Sequence, residues 1–96
     1  MPGEVVWLPE AARDVARLRD FIQEKNPQAA QRAASRIKEA AQILAENPEA
    51  GRPVEEVFPF RDLIIPFGGG DYTLRYREEH SRVVIVRVRH SREEGF

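Results

Sequence analysis

The 96-residue chain is predicted to fold as an α+β domain in the order β-α-α-β-β-β, with an antiparallel α-hairpin packed on one face of a small antiparallel sheet. Three observations carry that prediction. Apolar residues recur at three- and four-residue steps from about residue 10 to residue 46. Past Gly51 the period drops to two. Proline or glycine punctuates the helical part at Pro9, Asn26-Pro27, Asn47-Pro48 and Gly51.

The first element is the short β-prone run Val5-Val6-Trp7-Leu8. Pro9 then opens a helix, since a missing N–H costs nothing in the first helical turn. Ala12, Val15, Leu18 and Ile22 form its apolar stripe from Glu10 to about Lys25, with Arg13, Asp14, Arg17 and Asp20 falling mostly between them. Asn26-Pro27 ends this helix and caps the next one. The second stripe is Ala30, Ala33, Ile37, Ala40/Ala41 and Leu44, small enough for close approach of a neighbour. So short a connection makes the two helices an antiparallel hairpin.

Three strands follow. Leu63, Ile65 and Phe67 alternate in the first, and Pro66 marks it as an edge or as ending there. Tyr72, Leu74 and Tyr76 alternate in the second. Val84, Val86 and Val88 alternate in the third, with Val83, Ile85, Arg87 and Arg89 opposite. Gly68-Gly69-Gly70-Asp71 and Glu78-Glu79-His80-Ser81 are the hairpin turns between them. The triple glycine precedes a strand and lacks a following Lys-Ser/Thr, so it is a turn and not a phosphate loop. Tyr72 and Tyr76 belong to the core, and Trp7 to the core or an interface.

Composition narrows the function. Ninety-six residues make a single domain spanning 1–96. There is no cysteine, which excludes a disulfide scaffold, a thiolate metal site and a cysteine nucleophile, and suits a reducing cytoplasm. No apolar run approaches the length of a membrane span, so no membrane association is expected. The net charge of −1 does not indicate a strongly basic nucleic-acid binder. The basic residues are almost all arginine, with Lys25 and Lys38 the exceptions, and six arginines face two glutamates between Arg75 and Arg92. If the helices cover the face of Leu74 and Val86, the opposite face gathers Arg75, Arg77, Arg87 and Arg89. Four guanidinium groups on two neighbouring strands would attract RNA phosphate or the carboxylates of an acidic protein segment. The plainer reading is a solvated open face, which antiparallel sheets usually make polar. His90 has a general acid/base's intrinsic chemistry, but strict alternation turns it toward the helices, as a hydrogen-bonded histidine at the core margin. His80 sits in a turn beside two glutamates. The two histidines are too isolated to hold a metal, and no cofactor motif is present.

The ordered set of short motifs resembles the ParE-type toxins of the RelE/ParE superfamily over nearly the whole chain. It comprises Leu8-Pro9-Glu10-Ala11-Ala12-Arg13-Asp14-Val15, Asn26-Pro27 with Ala29-Ala30, and Leu44 through Pro53. Arg61-Asp62-Leu63, Tyr72 through Arg77, and the closing Val83 through Arg92 continue it. The resemblance implies the toxin of a type II toxin–antitoxin pair from a bacterium or its plasmid. It implies a cognate antitoxin, a toxin–antitoxin hetero-oligomer, and DNA contact only through the antitoxin. Two activities live on this fold. ParE-type members poison DNA gyrase and are not enzymes; RelE-type members cut mRNA in the ribosomal A site. The turn at Pro48-Glu49-Ala50-Gly51 and the ending His90-Ser91-Arg92 look like the ParE branch, which makes gyrase the expected target. Arg75, Arg77, Arg87, Arg89, His90 and Arg92 are then the expected target-binding residues. Under the nuclease alternative Arg75, Arg87, Arg89 and His90 would be catalytic, although the open face shows no clear base and Glu93-Glu94-Gly95-Phe96 carries no catalytic tyrosine. A third possibility is a homologue that has lost its activity and only binds antitoxin.

Overall fold

Proline and asparagine set the helix ends as the chain pattern requires. The computed structural model describes residues 3–93. Its elements are β1 (Glu4–Trp7), α1 (Pro9–Gln23), α2 (Pro27–Glu46), β2 (Arg52–Pro53), β3 (Arg61–Phe67), β4 (Gly70–Glu79) and β5 (Arg82–His90). Pro9 and Pro27 each begin a helix. The Asn26 side chain accepts a hydrogen bond from the Ala29 N–H at 3.1 Å, satisfying one of the orphan donors of α2. Every residue of the predicted second stripe is buried: Ala30, Ala33, Ile37, Ala40, Ala41 and Leu44.

The α+β class and the arrangement of a helical hairpin on a sheet hold. The five strands run in the order β1-β5-β4-β3-β2. β3, β4 and β5 form the antiparallel meander, while β1 pairs in parallel with β5. The sheet is therefore mixed, because the chain between β1 and β5 is long enough for a crossover. β2 is a two-residue pairing with Arg61 and Asp62, too short to leave a periodic signal. Beyond it β3 is an edge, as Pro66 indicated, and the Pro66 carbonyl accepts from Arg36 of α2 at 2.9 Å. One core joins Leu18, Ile37, Ala41 and Leu44 of the helices to Ile65, Tyr72, Leu74, Tyr76, Val83, Ile85 and Val88 of the sheet. Trp7 packs partly buried against it.

The buried faces of α1 and β5 differ in phase from the sequence expectation. In α1, Ala12 is exposed, while Ala11 and Asp14 are buried. In β5, Val83 and Ile85 face the helices and belong to the core, whereas Val84 shares the opposite face with its register partner Arg77. The cause is a β-bulge. Arg75 pairs with Arg87 and Tyr76 with Ile85, leaving Val86 as the extra residue. One inserted residue reverses the facing of everything on one side of it. Strict alternation from Val88 back to Val84 therefore fails at Val86.

The turns explain local residue choices. Gly68, at φ 61°, provides the left-handed residue of the β3–β4 turn. The β4–β5 loop is His80-Ser81, both at positive φ (49° and 66°), as a two-residue hairpin of the right twist requires. Tyr76 is fully buried, and its hydroxyl donates to the Pro48 carbonyl at 2.7 Å while accepting from the Gly51 N–H at 2.8 Å. A side chain at Gly51 would collide with that ring. The turn after α2 is thus clasped to the middle of the sheet.

Candidate functional site

The predicted site residues fall into three groups. Arg75, Arg77 and Arg89 lie on the sheet face away from the helices, in register with Asp62, Val84 and Thr73. Arg75 is held by Asp62 in a two-pronged pair, Nε to Oδ1 at 2.9 Å and Nη2 to Oδ2 at 3.0 Å. The hydrogen bond to Asp62 is the main reason the Arg75 guanidinium binds its proton more tightly than usual. Arg77 Nε donates to Glu79 at 3.0 Å, and that bond holds the Glu79 carboxyl below its usual range. Carboxylates therefore offset much of the positive charge on the open face.

Arg87 is different. It sits at the bulge, and its Nε donates to Asp14 Oδ2 at 2.8 Å. The same oxygen accepts from the Val88 N–H at 2.9 Å. β1 ends its pairing at Ile85, so the next part of the β5 edge would lack a partner for that N–H. Asp14, reaching down from α1, supplies one. Arg17 adds a weaker contact to the same carboxylate at 3.4 Å. Hydrogen bonding to Asp14 also leads the causes that raise the Arg87 pKa. Arg87 is a brace between helix and sheet.

His90 and Arg92 form the third group, away from the open face. His90 pairs with Tyr72 across the strands and meets its ring edge-on at 5.2 Å. Its Nδ1 accepts from the Arg92 backbone N–H at 3.1 Å, and the His90 backbone N–H donates to the Glu93 carboxylate at 2.9 Å. The predicted hydrogen-bonded histidine at the core margin is what the structure contains. These residues border a groove of about 610 Å³ between the end of α1, the β3–β4 turn and the end of β5. Leu18, Ile22, Phe67 and Tyr72 supply its apolar lining, and Phe21 stands at its edge, two-thirds exposed. Arg17, Lys25 and Arg92 supply positive charge against the carboxylate of Glu93, which Arg17 approaches to 3.3 Å. An apolar trough with a cationic margin suits a chain segment carrying apolar anchors beside Asp or Glu.

The sequence reading missed this groove and the role of Asp14. Asp14 had a usable signal, since Ala11, Asp14 and Leu18 are spaced three and four residues apart. The groove had none, because its walls come from three distant segments. Among the described residues no cluster of His, Asp or Glu could hold a metal, and no helix is long and apolar enough to cross a membrane. The expectation about the C-terminal residues Glu94, Gly95 and Phe96 lies outside the described residues.

Comparison with known proteins follows the same lines. A family model described as the ParE toxin of the type II toxin-antitoxin system parDE matches residues 5–95. Toxin RelE2 of Caulobacter vibrioides is 41% identical over 89 residues, which cover 93% of this chain and 96% of that protein. Toxin RelE3 of the same organism is 39% identical over 85 residues, covering 88% and 90%. Among solved structures, a chain of the chromosomal ParDE system from P. aeruginosa superposes with a TM-score of 0.77 at 25% identity, covering 92% of this chain and 95% of its own. A chain of the RelBE2 toxin-antitoxin complex from Mycobacterium tuberculosis gives 0.65 at 28% identity, covering 94% and 99%.

Proposed function

The chain belongs to the ParE/RelE superfamily of type II toxin–antitoxin toxins, and from that premise we propose that it acts by binding DNA gyrase and is neutralised by an antitoxin seated in the groove beside His90. One observation carries the choice of a binding toxin over a nuclease. The four residues that a nuclease reading requires do not converge. Arg75 is held by Asp62, Arg87 by Asp14, and His90 lies on the helix side of the sheet. Cleavage of RNA needs a base and a charge stabiliser within reach of the same 2′-hydroxyl. The higher structural similarity to the ParDE chain supports the same choice.

The antitoxin reading rests on the groove's chemistry. A partly disordered acidic tail that folds on binding would place apolar side chains on Leu18, Ile22 and Phe67, with carboxylates toward Arg17, Lys25 and Arg92. Both solved relatives come from toxin–antitoxin systems. The second reading, ribosome-dependent mRNA cleavage, is favoured by the relatives named RelE and by Arg75 and Arg89 on the open face.

Induction in a bacterial host separates the two. A gyrase poison is expected to produce filamentation, an SOS response and cleaved DNA while translation continues, and the purified toxin should inhibit supercoiling. Primer extension that shows codon-dependent mRNA cuts soon after induction would transfer the assignment to the nuclease. Failure to co-purify with the product of the adjacent gene would remove the antitoxin.

A further inference from the structure

Between β2 and β3 the chain leaves the sheet in a loop, residues 54–60, that ends in Val57-Phe58-Pro59-Phe60. Phe58 is 93% exposed and Val57 41%. The loop is nevertheless built. Val54 N–H donates to the Phe60 carbonyl at 2.9 Å, Phe60 N–H to the Val57 carbonyl at 2.9 Å, and Val57 N–H to the Val54 carbonyl at 3.1 Å. At its base the Phe60 ring lies 5.9 Å from the Arg77 guanidinium on the open face of β4. One phenylalanine is folded against the sheet, and the other is held out in water by the same turn.

An aromatic ring presented on an ordered turn loses little freedom when a partner closes over it. Such rings dominate the energetics of protein interfaces. The neighbours of Phe58 specify the partner's chemistry. Glu55 and Glu56 are exposed three and two residues before it, and they disfavour phosphate and anionic lipid while favouring a cationic margin. The loop joins β3 at Arg61, whereas the groove by His90 opens at the other end of that strand, beside Phe67, about 20 Å away for seven residues of β-strand. The groove's positive margin suits an acidic segment, and the acidic loop suits the reverse.

We propose that Phe58 is the anchor by which this toxin engages its target protein, inserting into an apolar cleft bordered by arginine or lysine, at the opposite end of β3 from the antitoxin groove. This rests on the reading that the chain acts by binding a protein target.

The test compares wild type with Phe58→Ala and with Glu55→Lys/Glu56→Lys in three assays: growth arrest on induction, inhibition of purified gyrase, and binding to the antitoxin. Circular dichroism checks that each variant folds. Phe58→Ala is expected to weaken growth arrest and gyrase inhibition on the order of tenfold or more, as loss of an interface anchor does, with antitoxin affinity unchanged. The charge reversal should weaken both toxic readouts as well. A folded Phe58→Ala variant as toxic as wild type overturns the proposal whatever the target. Wild type that arrests growth through Phe58 but leaves gyrase untouched keeps the anchor and discards gyrase. Equal toxicity of the charge-reversed variant discards the cationic cleft. Flotation with neutral phosphatidylcholine vesicles is the remaining arm, and Phe58-dependent flotation would identify a lipid anchor and overturn the protein-partner assignment.

Discussion

Asp14 joins the first helix to the last strand through a single carboxylate. It is 6% exposed, accepts from Arg87 and from the Val88 N–H, and covers a stretch of β5 that β1 does not reach. Asp14→Ala would leave a buried backbone donor unsatisfied and Arg87 without its main acceptor. The expected loss is about 2–3 kcal/mol by urea denaturation, with Asp14→Asn intermediate because its amide oxygen can still accept from Val88. An unchanged midpoint for Asp14→Ala would show that water replaces the carboxylate. Arg87→Ala therefore tests stability before it tests toxicity. Arg17 contacts Asp14 and Glu93 and borders the groove, so Arg17→Ala would disturb the brace and the groove margin together. Arg92 is the cleaner probe there, being exposed with its side chain toward Gly69. Arg92→Glu is expected to weaken antitoxin binding severalfold, chiefly in its salt-sensitive part, with stability unchanged. Binding titrations at two salt concentrations measure this, and equal affinity would place the antitoxin elsewhere.

Among the elements, the β4–β5 hairpin and α2 make the most specific demands on sequence. His80 and Ser81 both adopt positive φ, a conformation that costs ordinary side chains about 1 kcal/mol or more each. Replacing them with Asn-Gly should stabilise the domain by about 1 kcal/mol, raising Tm by roughly 4–8 °C in thermal unfolding. No rise would mean that the native turn is already relaxed by contacts its neighbours make. α2 presents Ala33, Ala40 and Ala41 to the core, and Ala41 is fully buried. Ala41→Leu should overpack the core and displace the helix at a cost of about 1–3 kcal/mol, while Lys38→Ala on the exposed side should be nearly silent. Denaturant midpoints for the pair decide it.

At the level of the whole molecule, both tyrosines of the chain are inside it. Burial is the main cause that pushes the Tyr72 and Tyr76 phenols above their ordinary value of 10.0. The folded state thus keeps protons that the unfolded chain releases near pH 10. Their contribution to stability is complete below that pH and declines as pH rises above it, by about 1.4 kcal/mol per pH unit for each phenol while the folded form holds its proton. Alkaline titration followed by tyrosinate absorbance should show less ionisation near pH 10 in the folded protein than in the unfolded chain, with the remainder appearing as circular dichroism is lost. A normal tyrosine titration in folded protein would contradict the burial of both rings. The same global view places the groove and the Phe58 loop at opposite ends of β3, so the two proposed partners need not compete for one surface.

Periodicity alone determined the α+β class, the two helices, the meander and nearly the whole core face of α2, because in those stretches local spacing and burial agree. Asn26, Pro9 and Pro27 act within their own turns, so their roles were legible without neighbours. The tertiary structure decided what depends on contacts between distant segments. The bulge at Val86 reversed the facing of Val83–Ile85, and a period of two cannot reveal an inserted residue. Asp14 is buried because the β5 edge needs an acceptor there, a need created only when β1 stops at Trp7. The predicted cluster of Arg75, Arg77, Arg87 and Arg89 assumed that one face of two strands would be one surface. Pairing instead gave Arg75, Arg77 and Arg87 carboxylate partners, from Asp62, Glu79 and Asp14, while His90 stood on the helix side of the sheet, as alternation had indicated. A strand pattern shows which way a side chain leaves the backbone; which charge meets it is settled only when other elements pack alongside.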